Sequence, residues 1–360
     1  MAERKLTTSL LKRLDKNPEA VIEKLDLVYV NPRQLSIHRK KKGNSFQYLQ
    51  NGKSITKSQD LKRIKSLVIP PAWAHVRISS IPNGHLQATG RDAKSRKQYR
   101  YHPKWNKIKN QTKFFRMAEF GQALPKIRNQ VEKDIIQKNW VKTKVLALVI
   151  KLMEETHIRI GNSYYAKKNK TYGLTTLRAK HVHLFKDRLR FKFTGKKGKN
   201  HNITLRNKKL IQLVSKCEEI PGWELFQFYD KSGEKHTVDS GMVNDYLNEI
   251  SGKEFTAKDF RTWSASVIFF ETLMDFNRPI SDKDIKDNIL SALDVTAKSL
   301  GNTRNVCRNY YVHPILVEAY EKNTLHDVFT KIETNPMSSG YLTPTEISVL
   351  ELVKGYTPKI

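Results

Sequence analysis

From about Phe46 the apolar and aromatic residues fall at every second position, and the run is cut by turn signals at Asn51-Gly52 and Pro82-Asn83-Gly84. Alternation of this kind specifies strands that bury one face, and Asn-Gly pairs suit the positive φ angles of tight hairpins. Beyond about residue 110 the spacing turns mainly helical. A chain that carries both periods in separate stretches predicts an α+β protein, with a small β-rich N-terminal domain and a larger, mainly α-helical one. The expected divisions are a basic N-terminal extension over residues 1–29, the β-rich domain over 30–110, the helical domain over 111–330 and a C-terminal tail over 331–360. The stretch from His102 to Lys113 reads as polar and loop-like and marks the boundary.

Within the helical part, Lys144 to His157 places Val145, Leu148, Val149 and Leu152 on one face, with an expected stop near Gly161-Asn162, so Arg159 falls at a helix end. Period two returns from His181 to Leu205, which predicts a three-stranded antiparallel sheet whose second turn, "GKKGKN", carries Lys196 at its tip. Thr256 and Asp259 form a capping box, and the helix they open presents Lys258 and Arg261 in its first turns. Ser281 opens another helix, with Ile285, Ile289, Leu293 and Leu300 in register and Gly301 as its stop. Further upstream, Leu10, Leu11 and Leu14 indicate a short helix in the N-terminal extension.

Charge narrows the partners. Sixty-six Lys and Arg against thirty-five Asp and Glu give a formal charge of +31, which points to a polyanion, with nucleic acid the first candidate. The longest unbroken apolar run is Val145 to Ile150, too short to span a membrane. Met1 to Lys12 lacks the apolar core of a signal peptide, and two distant cysteines, Cys217 and Cys307, propose neither a disulfide framework nor a zinc site. An intracellular, metal-free and cofactor-free protein is expected. In "GRDAKSRKQYRYHPKW", Arg91, Lys94, Arg96, Lys97 and Arg100 interleave with Tyr99 and Tyr101, and strand alternation puts both tyrosines on one face. That surface suits a nucleic acid, and it equally suits a charged edge strand that resists aggregation.

Phosphodiester cleavage without a metal needs a nucleophile, cations on the non-bridging oxygens and an acid for the leaving oxygen. Arginine fits the second role through its planar, permanently charged fork, and lysine can fill the third. Tyrosine is a weak nucleophile at neutral pH, with an ordinary pKa of about 10, unless cations favour its phenolate. The segment "KSLGNTRNVCRNYYVHP" offers two adjacent tyrosines in a basic context.

Four segments in order, "HIRIGNSYYAKKNKTYGLTTLRAKHV", "FTGKKGKN", "KDFRTW" and "GNTRNVCRNYYVHP", resemble the successive catalytic motifs of the small type IB DNA topoisomerases of bacteria and large DNA viruses. The "GRDAKSRKQYRYHPKW" stretch resembles their DNA-contacting β-domain, and the likeness runs from about Val30 to Phe329. The resemblance implies a fold related to the tyrosine recombinases, with Tyr311 as nucleophile forming a 3′-phosphotyrosyl link and a free 5′-hydroxyl. It further implies that Arg159 and Arg261 stabilise the phosphorane and that Lys196 protonates the departing 5′-oxygen. Asn302 stands where viral members carry histidine; an amide donates a hydrogen bond there but no charge. Arg96, Tyr99, Tyr101 and Lys258 are implied DNA contacts, and Tyr310 reads as packing. The expected partner is double-stranded DNA, bound by a monomer that clamps the duplex and acts without ATP, with no membrane and no small-molecule substrate. In a bacterium, the resemblance implies a cytoplasmic, nucleoid-associated enzyme.

Two other readings share features with this one. A tyrosine recombinase uses a similar Arg, Lys, Arg, Tyr set, but the β-patterned N-terminal part and Lys258, where recombinases usually have histidine, weigh against it. A non-enzymatic basic nucleic-acid-binding protein would need only the charge and the aromatic interleaving.

Overall fold

In the computed structural model residues 7–19, 22–334, 336 and 340–358 are described. Residues 1–6, which open the stretch read as lacking a signal peptide, lie outside them, as do 20–21 of the expected extension and 335, 337–339 and 359–360 of the expected tail. Residues 1–115 with 357–360 make one unit, and residues 116–356 a second.

In the first unit α1 (Thr8–Lys16) is followed by β1 (Ile37–Lys42), β2 (Ser45–Gln50), β3 (Lys53–Ser54), α2 (Ser58–Ser66), β4 (Ala74–Ile78), β5 (Leu86–Arg91) and β6 (Lys97–Tyr101). All six strands join one antiparallel sheet in the order β3-β2-β1-β4-β5-β6. Asn51 and Gly52 both take positive φ and close the β2–β3 hairpin, the backbone state a two-residue turn requires. Ile37, Val76, Ile78 and Ala88 bury one sheet face against Ile64 of α2.

The basic N-terminal segment is part of this unit's core, because Leu11, Leu14, Ile22, Leu25 and Leu27 pack with Trp105 and Ile108. That packing corrects the loop-like reading of residues 102–113. From Pro103 on they form the first turns of α3 (Pro103–Ile135), a helix of 33 residues that continues into the second unit. Trp105 and Ile108, one turn apart, are buried there, and Phe115 packs beside them. A narrow apolar stripe suffices when a partner face is supplied from elsewhere in the chain, and the polar remainder is the solvated side of the helix.

The second unit continues with α4 (Lys142–Thr156), α5 (Ser163–Asn169), β7 (Val182–Leu184), β8 (Leu189–Thr194), β9 (Asn200–Leu205), α6 (Lys208–Glu218), β10 (Gln227–Tyr229), β11 (Lys235–Thr237) and α7 (Ser240–Ser251). The helices α8 (Ala257–Met274), α9 (Asp282–Leu300), α10 (Arg304–Tyr310), α11 (Pro314–Glu321), α12 (His326–Thr334) and α13 (Pro344–Lys354) complete it. The predicted α+β class is the observed one, with β7, β8 and β9 forming the expected three-stranded antiparallel sheet. The apolar run Val145–Ile150 is buried on every side, because α4 is the central helix and packs on α6, α7, α8, β9 and β10. No helix among the described residues is long and apolar enough to cross a membrane.

Residues 331–360, set apart above as a tail, include α13, which packs on α8, α11 and α12. Its Glu346 is buried and accepts from Arg128 Nη1 and Nη2 at 2.7 Å each and from Trp263 Nε1 at 3.0 Å. Arg128 also pairs with Glu154 of α4 at 2.9 Å. One cluster of hydrogen-bonded ion pairs therefore ties α3, α4, α8 and α13 together.

Candidate active site

Arg159 does not sit on a helix end. Helix α4 stops at Thr156 and is capped by His157 in the left-handed region, at φ 53°, so Arg159 lies on the extended link to α5. This correction has a local cause. The carbonyls of Arg159 and Ile160 accept from Leu174 N at 2.8 Å and Thr175 N at 2.7 Å, and this pairing pulls the chain out of helical geometry. The approach is close enough to demand glycine at 173, where a Cβ would meet Arg159 O at 2.4 Å. The "GLTT" of the first motif segment is thus the cradle that fixes Arg159's backbone.

Lys196 occupies the turn between β8 and β9, where Gly195 N bonds Lys199 O at 2.7 Å and both Lys197 (φ 64°) and Gly198 (φ 77°) are left-handed. The residue as a whole is exposed, yet its ammonium is desolvated enough that its pKa falls below the ordinary lysine value. The positive charge of Arg159 lowers it further, and Tyr311 opposes the shift. Across the hairpin His201 pairs with Phe193 and stacks on it at 4.9 Å. Burial, then Arg159, Lys199 and Arg261, hold His201 down at about 4, so its ring is neutral near pH 7.

Arg261 is buried in the second turn of α8, behind the Thr256–Asp259 capping box. Asp259 is engaged in that cap, accepting from Thr256 N at 2.8 Å and Oγ1 at 3.0 Å, and not in an ion pair with Arg261. The guanidinium instead donates through Nη1 to His157 O and through Nη2 to Leu300 O, the latter at 2.8 Å. Its Cζ lies 5.6 Å from the centre of the Tyr311 ring. Burial and then Arg159 lower its pKa to about 10, against the pull of Tyr311.

Helix α9 ends as expected, with Gly301 left-handed at φ 61°, and Asn302 follows with its N–H on Ala297 O at 2.8 Å. Its side-chain oxygen accepts from Arg159 Nη2. The buried amide Nδ2 has no oxygen or nitrogen acceptor among the described residues; the Cys307 sulfur beside it is a weak one. Tyr311 caps α10 and is half-buried. Ser266 of α8 lies 3.5 Å from its carbonyl and accepts His313 N at 3.0 Å, so the α8 that carries Arg261 also braces the tyrosine. His313 is fully buried and caps α11, with Pro314 at the first helical position, which accounts for the "VHP" after Tyr311. Tyr310, read from the sequence as packing, is instead 48 % exposed. The single-residue step at the end of α10 turns its neighbour inward and leaves Tyr310 outward.

The second unit thus assembles Arg159, Lys196, Arg261, Asn302 and Tyr311 from five separate segments. The charge of exposed Lys258 acts on Lys196 from the first turn of α8. In the first unit, Tyr99 and Tyr101 stack on one face of β6 at 6.0 Å, whereas Arg100 bonds Val68 O at 2.8 Å from the other. Arg96 forms an ion pair with Asp92 at 2.6 Å across the β5–β6 turn. Three residues of the assembled site carried no sequence signal that was used: His157, the Gly173 cradle and His201. The positions of His157 beside Arg159 and of His201 opposite Phe193 were the available hints.

Among the described residues, Asp230, Glu234 and His236 bring metal-type ligand atoms within 4.8 Å of one another. Asp230 is engaged in the β10–β11 turn, accepting from Ser232 N, Ser232 Oγ and Glu234 N at 2.7 to 2.9 Å.

Residues 102–335 match the family described as eukaryotic DNA topoisomerase I, catalytic core, and residues 45–92 match bacterial DNA topoisomerase IB, N-terminal domain. The DNA topoisomerase 1B of Acanthamoeba polyphaga mimivirus is 35 % identical over 296 residues, covering 80 % of this chain and 88 % of the relative. That of Vaccinia virus (strain Western Reserve) is 24 % identical over 247 residues, covering 67 % and 74 %. DNA topoisomerase 1 of rabbit fibroma virus is 26 % identical over 254 residues, covering 66 % and 75 %.

Proposed function

Because this chain belongs to the type IB DNA topoisomerases, we propose that it relaxes supercoiled duplex DNA by cutting one strand through Tyr311, letting the duplex swivel, and resealing it. The observation that carries this reading is the convergence of Arg159, Asn302 and Arg261 beside one tyrosine. Arg159 and Asn302 are hydrogen-bonded to each other, and Arg261 stands over the Tyr311 ring.

The steps follow from the residues. The Tyr311 hydroxyl gives up its proton to solvent as it attacks. Its oxygen attacks the scissile phosphorus, and the P–O5′ bond breaks as the P–O(Tyr) bond forms. Negative charge that builds on the non-bridging oxygens is met by Arg159, by the remaining N–H groups of Arg261 and by Asn302 Nδ2. Lys196, whose pKa lies below the ordinary value, gives a proton to the 5′-oxygen as it leaves and recovers one from solvent. Reversal uses the same groups in the opposite order. The phosphotyrosyl link keeps the bond energy, so resealing needs no nucleotide.

DNA is held chiefly through phosphates, as a charge of +31 implies. Lys170, Lys180 and Lys192 line an open groove with Tyr172 and Asn200 on the sheet that carries Lys196, a surface suited to a phosphate backbone. Tyr99 and Tyr101 add contacts from the first unit, and Lys258 adds one beside the site.

The test is relaxation of supercoiled plasmid in EDTA without nucleotide, with detergent trapping of the covalent adduct. The wild type relaxes the plasmid and forms an adduct that maps to the peptide containing Tyr311, and Tyr311→Phe does neither. An undiminished adduct in Tyr311→Phe, or no relaxation by the wild type, would overturn the reading.

A further inference from the structure

Lys196 and Asn302 stand on different segments, and one side chain lies between those segments. The glycine before each of them touches the same imidazole. A Cβ built on Gly195 would come within 2.5 Å of His201 Cδ2, and one built on Gly301 within 2.7 Å of His201 Cε1. The ring therefore fills the space that both glycines leave open. Its face is held by Phe193 at 4.9 Å with the planes 16° apart, so it can neither tilt nor withdraw without losing that stack.

We propose that His201 is a positioning residue for strand cleavage: wedged between Gly195 and Gly301, it sets how far the Lys196 turn stands from Asn302 and the Arg159 that Asn302 holds. This inference rests on the assignment of Lys196 as the acid for the leaving oxygen.

The two sides of the wedge are unequally secured. Asn302 is tied to Ala297 O through its backbone and to Arg159 through its side chain. The Lys196 turn relies on two short-range backbone bonds, Gly195 N to Lys199 O and Gly198 N to Gly195 O, and carries Lys197 in the left-handed region. Losing the wedge therefore displaces the lysine more than the amide. Interiors are packed closely enough that removal of a ring leaves neighbours free to move into its place. Burial, with Arg159, Lys199 and Arg261 around it, keeps the ring uncharged near pH 7, consistent with a role in shape and not in charge.

The decisive experiment compares single-turnover cleavage of two duplexes, one with the natural 5′-oxygen at the scissile bond and one with sulfur in its place. A thiolate leaves without a proton, so a defect in delivering the acid disappears on the sulfur substrate. His201→Ala should cleave the oxygen substrate about 10²-fold more slowly, the scale of a misplaced catalytic group, and should cleave the sulfur substrate near the wild-type rate. His201→Phe keeps a flat ring against Phe193 and should recover most of the rate. Gly195→Ala leaves the imidazole in place but forces an atom against it, and should give the same oxygen-specific defect, which keeps the idea testable if His201→Ala does not fold. Equal slowing on both substrates, no slowing in His201→Ala, or His201→Phe as slow as His201→Ala would each overturn the inference. Lys196→Ala is the control that separates it from the reading beneath it. Should sulfur fail to rescue Lys196→Ala, the acid assignment itself falls; rescue of Lys196→Ala without rescue of His201→Ala sinks only the role of His201.

Discussion

Arg159 donates through Nη2 to the side-chain oxygen of Asn302, a contact between residues 143 positions apart. It orients the guanidinium and, by engaging the oxygen of the amide, leaves Nδ2 as the donor that the proposed mechanism aims at a phosphate.

That orientation makes Asn302 sensitive to charge as well as to shape. Asn302→Ala should slow cleavage by about 10²-fold or less, the cost of one lost oxyanion-type donor. Asn302→Asp, which keeps the bond to Arg159 but replaces the donor with a carboxylate that repels the phosphate, should be slower still. Single-turnover cleavage of an end-labelled duplex measures both, and an Asp variant as fast as the wild type would remove Asn302 from the phosphate.

The depressed Lys196 pKa sets a pH dependence. A general acid works only while protonated, so cleavage of the oxygen substrate should fall as pH rises through the Lys196 pKa. That fall should begin below the ordinary lysine value of 10.5, since burial and then Arg159 favour the neutral amine, with Lys197 and Lys258 adding to the effect and Tyr311 opposing it. The alkaline limb should vanish in Lys196→Ala. A limb that survives in that variant assigns the titration to another group.

Buried His181 and partly buried His157 couple stability to pH in the acid range. Burial, with Arg261 beside His157 and Lys180 beside His181, holds both at about 4, against an ordinary 6.5. Between those values the unfolded chain binds more protons than the folded one, so stability is full above about 6.5 and declines as pH falls toward about 4. The thermal midpoint should drop across that window and respond less steeply in His181→Asn. A midpoint independent of pH there contradicts the assignment.

Glu346 should matter for stability although it lies far along the chain from every catalytic motif. Its removal strands a largely buried guanidinium, its side chain 18 % exposed, with Glu154 as its remaining ionic partner among the described residues. Glu346→Ala should therefore destabilise the protein by about 3 kcal/mol, at the low end for breaking a buried pair. Denaturant unfolding reads this directly, and a loss under about 1 kcal/mol would mean that α13 is not anchored through this cluster.

Local rules in the sequence determined most of the secondary structure that frames the site. Ser281 and Gly301 bound α9, Thr256 and Asp259 cap α8, and Asn51-Gly52 closes its hairpin, because caps and turns depend on the φ preferences and side-chain oxygens of a few adjacent residues. The residue types suited to phosphate chemistry were equally plain. Tertiary structure decided what adjacency cannot express. Arg159 leaves its helix because Leu174 pairs with it and Thr175 with Ile160, and residues 103–113 are helical because Leu11, Leu14 and Leu25 bury Trp105 and Ile108. Tyr311 faces inward and Tyr310 outward, and a histidine wedge stands between two glycines 106 positions apart in the sequence. Each of these rests on contacts between distant segments, whose free energy exists only once the chain has closed the loops between them.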